Sequence, residues 1–218
     1  MKDNKIKLKP IKIGLLGDAA TGKTAICNSL LNIDFSEDML ISIGLDKLET
    51  KFILNNGNEI KLIIWDCGGQ ERFRSMALET MRMTYGIILV FDVWDYNSFE
   101  NLNMYLQEIS ESFEKNIPIV LFANKVDLEK ERWQVTDEQI KTFAKEKNLP
   151  YFKVSAKTKQ GINEGFSYIV NKTYKKLEEK NEHIIIENGN KNIKIEEKIS
   201  EQEKSNCVGK NNKNKKKK

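Results

Sequence analysis

Short apolar runs alternate with amphipathic stretches over the first 180 residues of the chain. Four of the runs lie at 11–17, 86–93, 117–124 and 151–155. Such runs are typical of parallel strands that crossover helices bury on both faces. Segments 45–55 and 59–66 flank Asn56-Gly57, a turn signal that predicts an antiparallel hairpin. The pattern therefore predicts an α/β fold with a mostly parallel six-stranded sheet and one antiparallel edge strand.

Helical spacing of apolar residues occupies the stretches between the predicted strands, at 23–33, 98–115, 136–148 and 162–180. Thr136 with Gln139 three residues later predicts a capping box at the start of the third of these helices. In the last helix, one apolar face consists of Phe166, Ile169, Val170, Thr173 and Leu177. Helices that connect parallel strands cover both faces of a sheet, so a layered α/β domain is expected.

The composition changes after Lys180, where the chain becomes rich in Asn, Lys and Glu and has no Phe, Trp or Tyr. We therefore predict one domain over residues 1–180 and a disordered tail over 181–218. An alternative is a hairpin in which 184–186 and 193–195 flank Asn188-Gly189. A two-stranded hairpin by itself is marginal in water, so the disordered tail is favoured.

The net charge of +4 comes from the tail, because six of the last nine residues are lysines and the rest of the chain carries −2. This distribution argues against nucleic acid as a partner of the folded part. The lysine run at 211–218 favours either a weak, salt-sensitive contact with an anionic membrane or no partner at all.

Three cysteines, Cys27, Cys67 and Cys207, are odd in number and form no CxxC pair. Neither a disulfide framework nor a zinc site is indicated, and a reducing compartment is expected. No apolar run approaches the ~18 residues of a membrane-spanning helix. We therefore expect a monomeric cytoplasmic protein, with a peripheral position on the cytosolic face of an endomembrane as the alternative.

The segment Gly17-Asp18-Ala19-Ala20-Thr21-Gly22-Lys23-Thr24 fits G-x-x-x-x-G-K-[ST] and lies between a predicted strand and a predicted helix. In that context the backbone N–H groups of the loop would face phosphate oxygens. Lys23 would supply a full positive charge and Thr24 a hydroxyl for Mg2+. A glycine-containing turn that matches by coincidence is the alternative, and the flanking strand and helix argue against it.

Asp66 ends the predicted strand at 59–66, where a carboxylate can reach the water shell of Mg2+. A lone aspartate at a strand end is usually a turn former. Here Gly68-Gly69-Gln70 follows after one residue, and small residues allow backbone to approach a γ-phosphate. Gln70 carries both a donor and an acceptor, so it could orient an attacking water.

Asn124-Lys125-Val126-Asp127 follows another predicted strand. The Asp127 carboxylate could accept from the N1–H and the exocyclic amine of guanine together, whereas adenine offers neither donor in that arrangement. A P-loop ATPase or nucleoside kinase is therefore disfavoured. Ser155-Ala156-Lys157, after the last strand, would present backbone N–H groups to the guanine O6.

In this order the five segments resemble the small GTPases of the Ras superfamily over roughly residues 8–180. The stretches at 43–46, 61–66 and 71–75 are similar to the Rab branch. The resemblance implies a P-loop G domain that binds GTP or GDP with Mg2+, with Gln70 and Lys23 in catalysis. It implies that Mg2+ is held through Thr24, Ser42 and Asp66. The nucleotide contacts that it implies are Asp18, Ala19, Ala20, Thr21, Gly22, Lys23, Thr24, Ala25, Phe35, Ser42, Asp66, Gly69, Asn124, Lys125, Asp127, Leu128, Ser155, Ala156 and Lys157.

The same resemblance implies a switch in vesicle traffic, with an exchange factor, a GTPase-activating protein and effectors as partners. Ser42 in place of Thr and Cys67-Gly68 in place of Thr-Ala leave open a GTP-binding interaction module with little hydrolysis. Lys47 and Thr80-Met81 replace aromatic residues of the surface that meets effectors, so we expect a polar partner surface and an acidic group opposite Lys47. No C-a-a-X signal is expected, since eleven residues follow Cys207.

Overall fold

A computed structural model of the chain describes residues 5–36, 45–67, 79, 81–113 and 116–187. The strands in this part are β1 (Lys5–Leu8), β2 (Ile11–Leu16), β3 (Leu45–Ile53), β4 (Glu59–Cys67), β5 (Gly86–Asp92), β6 (Ile119–Asn124), β7 (Tyr151–Lys153) and β8 (Ile184–Glu187). Six of them form one sheet in the order β3-β4-β2-β5-β6-β7. Only β3 and β4 pair antiparallel, and the other neighbours are parallel. The predicted sheet is therefore confirmed.

The helices of the described part are α1 (Lys23–Leu30), α2 (Tyr96–Glu100), α3 (Leu102–Ser112), α4 (Asp137–Glu146) and α5 (Ile162–Glu179). The Thr136 capping box is present at the start of α4. The apolar face predicted for α5 is buried along its length. The single helix predicted over 98–115 is instead two helices that meet at Asn101. The first of the two, α2, begins earlier than predicted because the Asp95 side chain accepts from the Asn97 N–H and caps this helix.

Two hydrophobic cores lie on opposite faces of the sheet. Along β5, Ile88 and Val90 belong to one core, while Ile87, Leu89 and Phe91 belong to the other. Because successive side chains of a strand point to opposite faces, this division identifies the layers. Helices α1 and α5 contribute to the first core, and α3 and α4 to the second. The prediction of helices on both faces is confirmed.

Strands β1 and β8 form a separate two-stranded sheet. Most of it belongs to a second unit, made of residues Met1–Lys7 and Ile185–Lys218, while the larger unit is Leu8–Ile184. Residues 184–187 lie inside the segment predicted to be a disordered tail, and they pair with the start of the chain. The remainder of that segment and the second strand of the alternative hairpin lie outside the described residues, so the tail stays a prediction.

In the part of the chain that the structure describes, no helix is both long enough and apolar enough to cross a membrane.

Candidate functional site

The loops after β2, β4, β6 and β7 open at one edge of the six-stranded sheet because these strands run parallel. Hydrogen bonds join residues that are far apart in the chain at this edge. Thr24 contacts Asp66, 42 positions away, and Asn124 contacts Thr21, 103 positions away. The fold thus brings together the segments that the sequence analysis treated one by one.

The loop between β2 and α1 has a backbone that only glycine accommodates at two points. Gly17 and Gly22 have φ angles of 145° and 91°. A Cβ atom at Gly17 would lie 2.1 Å from the carbonyl oxygen of Val90, and one at Gly22 would lie 2.3 Å from Nδ2 of Asn124. No side chain caps α1 at Gly22. The first N–H groups of the helix are therefore left for a ligand, and the loop fits a phosphate group.

Lys23 is a buried cation, with 4% of its surface exposed. Its ammonium donates to the carbonyl oxygens of Gly17 and Asp18, at 2.9 and 2.6 Å. Burial lowers the pKa of Lys23, and the nearby charge of Asp66 opposes this effect only in part. A desolvated ammonium that contacts neutral carbonyls would gain much from an anion, so the position suits a bound phosphate.

Thr24 and Asp66 form an oxygen-rich pair beside Lys23. The Thr24 hydroxyl donates to Oδ2 of Asp66 at 2.5 Å. The other carboxylate oxygen, Oδ1, is buried and has no hydrogen-bond partner among the described residues. Burial raises the pKa of Asp66, and the hydrogen bond from Thr24 acts in the opposite direction. An orphaned buried carboxylate oxygen needs a partner, which a metal-bound water would provide.

This donor set fits Mg2+, which takes oxygen ligands and keeps several of its waters. Within the described ranges no group of three or more His, Cys, Asp or Glu side chains could hold a metal ion. The described residues therefore do not form a metal site in which every ligand is a protein side chain of these types. A hydroxyl, a carboxylate and the oxygens of a bound phosphate are the arrangement that Mg2+ prefers.

Asn124 connects the phosphate loop to the loop after β7. Its amide nitrogen donates to the Thr21 carbonyl at 2.8 Å, and its amide oxygen accepts from the Ala156 N–H at 3.2 Å. The amide nitrogen and the amide oxygen are thus both hydrogen-bonded in a side chain that is only 1% exposed. Asn124 therefore positions two loops and is a structural bridge of the site.

Asp127 and Ser155, which the sequence analysis assigned to base recognition, are in direct contact. The Ser155 hydroxyl donates to Oδ1 of Asp127 at 2.6 Å, and the Thr158 N–H donates to the same hydroxyl oxygen at 3.0 Å. The Asp127 side chain is exposed while Ser155 is fully buried. The contact fixes the orientation of a carboxylate that opens to the surface, as a base-binding group requires.

Phe35 and Lys157 lie close to each other on the outer side of this region. Phe35 is 40% exposed, and the Lys157 ammonium lies 5.9 Å from the centroid of its ring. Lys125 has a positive φ of 67°, and its ammonium lies 2.6 Å from Oδ2 of Asp92. The structure therefore brings Phe35 and Lys157 together, and it anchors Lys125 through Asp92, a residue that no motif pointed to.

The remaining predicted contacts lie in the same loops. Ala19 and Ala20 belong to the phosphate loop, Ala25 to the first turn of α1, and the Leu128 N–H donates to the Lys125 carbonyl at 3.2 Å. Ser42, Gly69 and Gln70 lie outside the described residues. Their roles at the metal, the γ-phosphate and the attacking water stay predictions.

Helix α3 and the residue before it hold the Asp18 side chain, a feature that the sequence analysis missed. Oδ2 of Asp18 accepts from Nδ2 of Asn101 at 2.7 Å, and Oδ1 accepts from the Tyr105 hydroxyl at 3.0 Å. The two donors are four positions apart and so lie on one helix face. They fix the carboxylate of a residue whose backbone carbonyl contacts Lys23. The phosphate loop is therefore anchored to α3.

Lys47 lies on the exposed face of the hairpin, opposite Trp65 in the register. Its ammonium lies 2.6 Å from the Glu49 carboxylate, which Lys61 also contacts at 2.5 Å. The hydrogen bond from Lys47, and after it the one from Lys61, lowers the pKa of Glu49 to about 2. Lys47 is thus already paired within the chain, so a partner would meet an ion-pair network here.

Met81 does not contribute to the predicted partner surface. It is fully buried in the core on the α3 and α4 side of the sheet. Its sulfur would lie 2.5 Å from a Cβ atom placed at Gly14. The methionine packs against a strand, so its side chain is not part of the exposed surface that carries Lys47. Thr80 lies outside the described residues.

The chain is similar to a large set of known proteins. The model of the Ras family matches residues 12–175. The Ras-related protein Rab-5B of Plasmodium falciparum is 37% identical over 169 residues, which are 78% of this chain and 80% of that protein. The Ras-related protein Rab-7b of Mus musculus is 36% identical over 77% of this chain and 83% of its own length. The Ras-related protein SEC4 of Saccharomyces cerevisiae is 34% identical over 90% of each chain.

Proposed function

Since this chain belongs to the Ras family and is a Rab-like small GTPase, we propose that it binds GTP or GDP with Mg2+ and hydrolyses GTP slowly. The observation that supports this most is the junction made by Asn124. This one side chain contacts the phosphate loop at Thr21 and the base loop at Ala156. A single ligand that reaches both loops must have a phosphate end and a base end.

Guanine is the base that the residues favour. The Asp127 carboxylate would accept from the two donors at N1 and the exocyclic amine, while the Ser155 hydroxyl holds it in place. Adenine would leave the carboxylate opposite an acceptor, which costs more than the loss of a contact because a charged group stays unpaired. Phe35 and Lys157 would cover the base from the outer side.

At the phosphate end, Lys23 would turn from the loop carbonyls to the β- and γ-phosphates. Thr24 and Ser42 would hold Mg2+ through their hydroxyls, and Asp66 would bind a water of its shell. When bound, Mg2+ supplies positive charge that neutralises the phosphate oxygens. Thr24 and Asp66 already contact each other, so this pair needs little rearrangement to hold Mg2+.

The nucleotide that leaves the purified protein on denaturation tests this proposal directly. We expect GDP or GTP in a molar ratio close to one, identified by anion-exchange chromatography and mass. Removal of Mg2+ with a chelator should accelerate nucleotide release. An adenine nucleotide, or none that can be loaded, would contradict the proposal.

Hydrolysis is expected to depend on Gln70, which would orient the attacking water. Gln70→Leu should leave GDP and GTP affinity within about twofold and lower single-turnover hydrolysis of bound GTP by about tenfold or more. The amide is lost while the size of the side chain is kept. Phosphate release from GTP-loaded protein gives the rate.

Gln107→Leu is the matched control, because Gln107 is exposed on α3 and its side-chain amide donates to Glu111 on the same helix. Its rate should equal that of the wild type. If the wild type hydrolyses no faster than Gln70→Leu, the chain is a GTP-binding interaction module instead.

The anchor between Asp18 and α3 should control how fast nucleotide leaves. Tyr105→Phe removes the hydroxyl that donates to Asp18 and keeps the ring in the core. A hydrogen bond to a charged group contributes roughly 1.5–3 kcal/mol, so we expect GDP release to be about tenfold faster. Release of a fluorescent GDP analogue gives the rate. Tyr168→Phe, at an exposed position of α5, is the control. If GDP leaves both variants and the wild type at the same rate, the contact between Tyr105 and Asp18 does not position the loop.

A role in vesicle traffic on the cytosolic face of an endomembrane is part of the proposal, and the similarity to proteins named Rab supports it. The monomer would exchange GDP for GTP with an exchange factor and lose GTP with a GTPase-activating protein. Effectors would bind the hairpin surface, where Glu49 forms ion pairs with Lys47 and Lys61. Their binding should therefore depend on ionic strength.

A further inference from the structure

A groove of about 940 Å³ runs along the edge strand β7. Lys141 and Lys145 of α4 line one side of it, and Tyr168 and Lys172 of α5 line the other. None of the residues proposed to bind nucleotide contributes to this groove. Whatever it binds is therefore separate from the nucleotide, and the inference below does not rest on the proposed GTPase function.

The floor of the groove has backbone groups that face outward. Strand β7 pairs with β6 alone within the six-stranded sheet. The Leu121 N–H donates to the Pro150 carbonyl at 2.9 Å, and the Val154 N–H donates to the Ala123 carbonyl at 2.8 Å. Because alternate residues of a parallel strand bond to the same neighbour, the N–H and C=O of Tyr151 face away from β6. They are the groups with which an added strand would pair.

The charge in the groove is of one sign. Three of the lining residues are lysines and none is an aspartate or a glutamate. The side chains of Lys141, Lys145 and Lys172 make no ion pair or hydrogen bond with any described residue. Lys153 of β7 differs, because it contacts Asp137 at 3.1 Å. The groove therefore concentrates positive charge that the described part of the chain does not neutralise.

Aromatic surface lies next to these lysines. Tyr151 and Tyr168 are 37% and 39% exposed. The Tyr168 ring packs on Phe152, with centroids 5.7 Å apart. Exposed tyrosines are enriched at surfaces that bind another protein chain.

We propose that this groove binds an extended acidic segment of a partner protein, which adds to the sheet as a strand beside β7. Its backbone would pair with the N–H and C=O of Tyr151. Successive side chains of a strand point to opposite faces. Carboxylates on one face of the added strand would thus meet Lys141 and Lys145, and those on the other would meet Lys172. Its apolar side chains would cover the tyrosine rings.

Lysines beside an exposed strand have another known use, since they discourage pairing with other chains. In that case removal of the charges would cause aggregation, and acidic segments would not bind. The experiment below separates the two explanations because they make opposite predictions for the same variant.

The probe is a nine-residue peptide of repeating Glu-Glu-Val-Val with blocked ends, which places carboxylates on both faces of a strand and is labelled for fluorescence anisotropy. The test variant of the full chain carries Lys141→Gln, Lys145→Gln and Lys172→Gln. The control variant carries Lys51→Gln, Lys130→Gln and Lys175→Gln, which remove the same charge at exposed positions outside the groove. The lysine-rich end of the chain is present in both variants, so its contribution cancels. A peptide with Gln in place of Glu is the second control.

We expect the groove variant to raise the dissociation constant of the Glu peptide at least about tenfold, and the control variant less than about twofold. The Gln peptide should bind neither variant. Hydrogen exchange of the Tyr151 amide should slow when the Glu peptide binds the wild type, because only strand addition protects that N–H. The binding should be the same with GDP or GTP loaded.

Three results would overturn the proposal. Equal weakening in both triple variants would mean that only net charge matters. If the peptide fails to bind while vesicles of anionic phospholipid bind to the wild type and not to the groove variant, the groove binds a membrane surface. Failure of the peptide to bind, with faster aggregation of the groove variant, would show that the lysines protect the edge of the sheet.

Discussion

Asp127→Asn is expected to weaken GTP binding by at least about 3 kcal/mol, which is more than a hundredfold in affinity. The amide can accept only one of the two guanine donors, and it places an N–H2 group against the other. The Ser155 hydroxyl fixes the side chain at 2.6 Å, so the amide cannot swing away from the base without losing that contact. Titration calorimetry with GDP and with GTP measures the loss.

Asp137→Asn is the matched control, because Asp137 is an aspartate on the surface whose partners are Lys130 and Lys153. It should leave nucleotide affinity unchanged. Xanthosine triphosphate has a carbonyl in place of the guanine amine, and the new amide in Asp127→Asn could donate to that carbonyl. Asp127→Asn should therefore bind xanthosine triphosphate more tightly than it binds GTP. Unchanged GTP affinity in Asp127→Asn would contradict the assignment of the base site.

The second large effect is expected from Lys23→Met, which keeps most of the side-chain volume and removes the charge. We expect GDP and GTP affinity to fall by about 3–5 kcal/mol, the range for the loss of one partner of a buried ion pair. The nucleotide-free protein should lose little stability, because burial already lowers the pKa of Lys23 and makes its charge costly. Affinity and stability should therefore change by different amounts.

Thermal unfolding with and without saturating GDP measures both quantities. The wild type should gain several degrees from GDP, and Lys23→Met should gain almost none. Lys51→Met, at an exposed position of β3, should behave as the wild type does. A nucleotide-free Lys23→Met protein that unfolds far below the wild type would mean that the ammonium supports the fold through Gly17 and Asp18.

The resemblance of the sequence to small GTPases is confirmed by the Ras family match and by relatives named Rab. What made it possible is local. A phosphate loop needs glycine where φ is positive and a lysine at the start of the following helix, and these demands fall within eight consecutive residues. Buried strands are continuous apolar runs for an equally local reason, since both faces of a parallel sheet are covered.

The sequence by itself determined the six strands of the main sheet, the hairpin, the faces of the helices and the loops that carry the site. Tertiary structure alone decided which side chains support those loops. Asn101 and Tyr105 bond to Asp18 from 83 and 87 positions away, and no local pattern marks such a pairing.

Met81 shows the same limit, because its burial depends on how closely it can approach Gly14. The pairing of 184–187 with the first strand could not be predicted either. Polar composition near the end of a chain indicates that a segment has little apolar area to bury, but a strand also forms when a distant segment supplies backbone partners. Local patterns reflect what each segment must bury, whereas its partners are fixed only when the whole chain has folded.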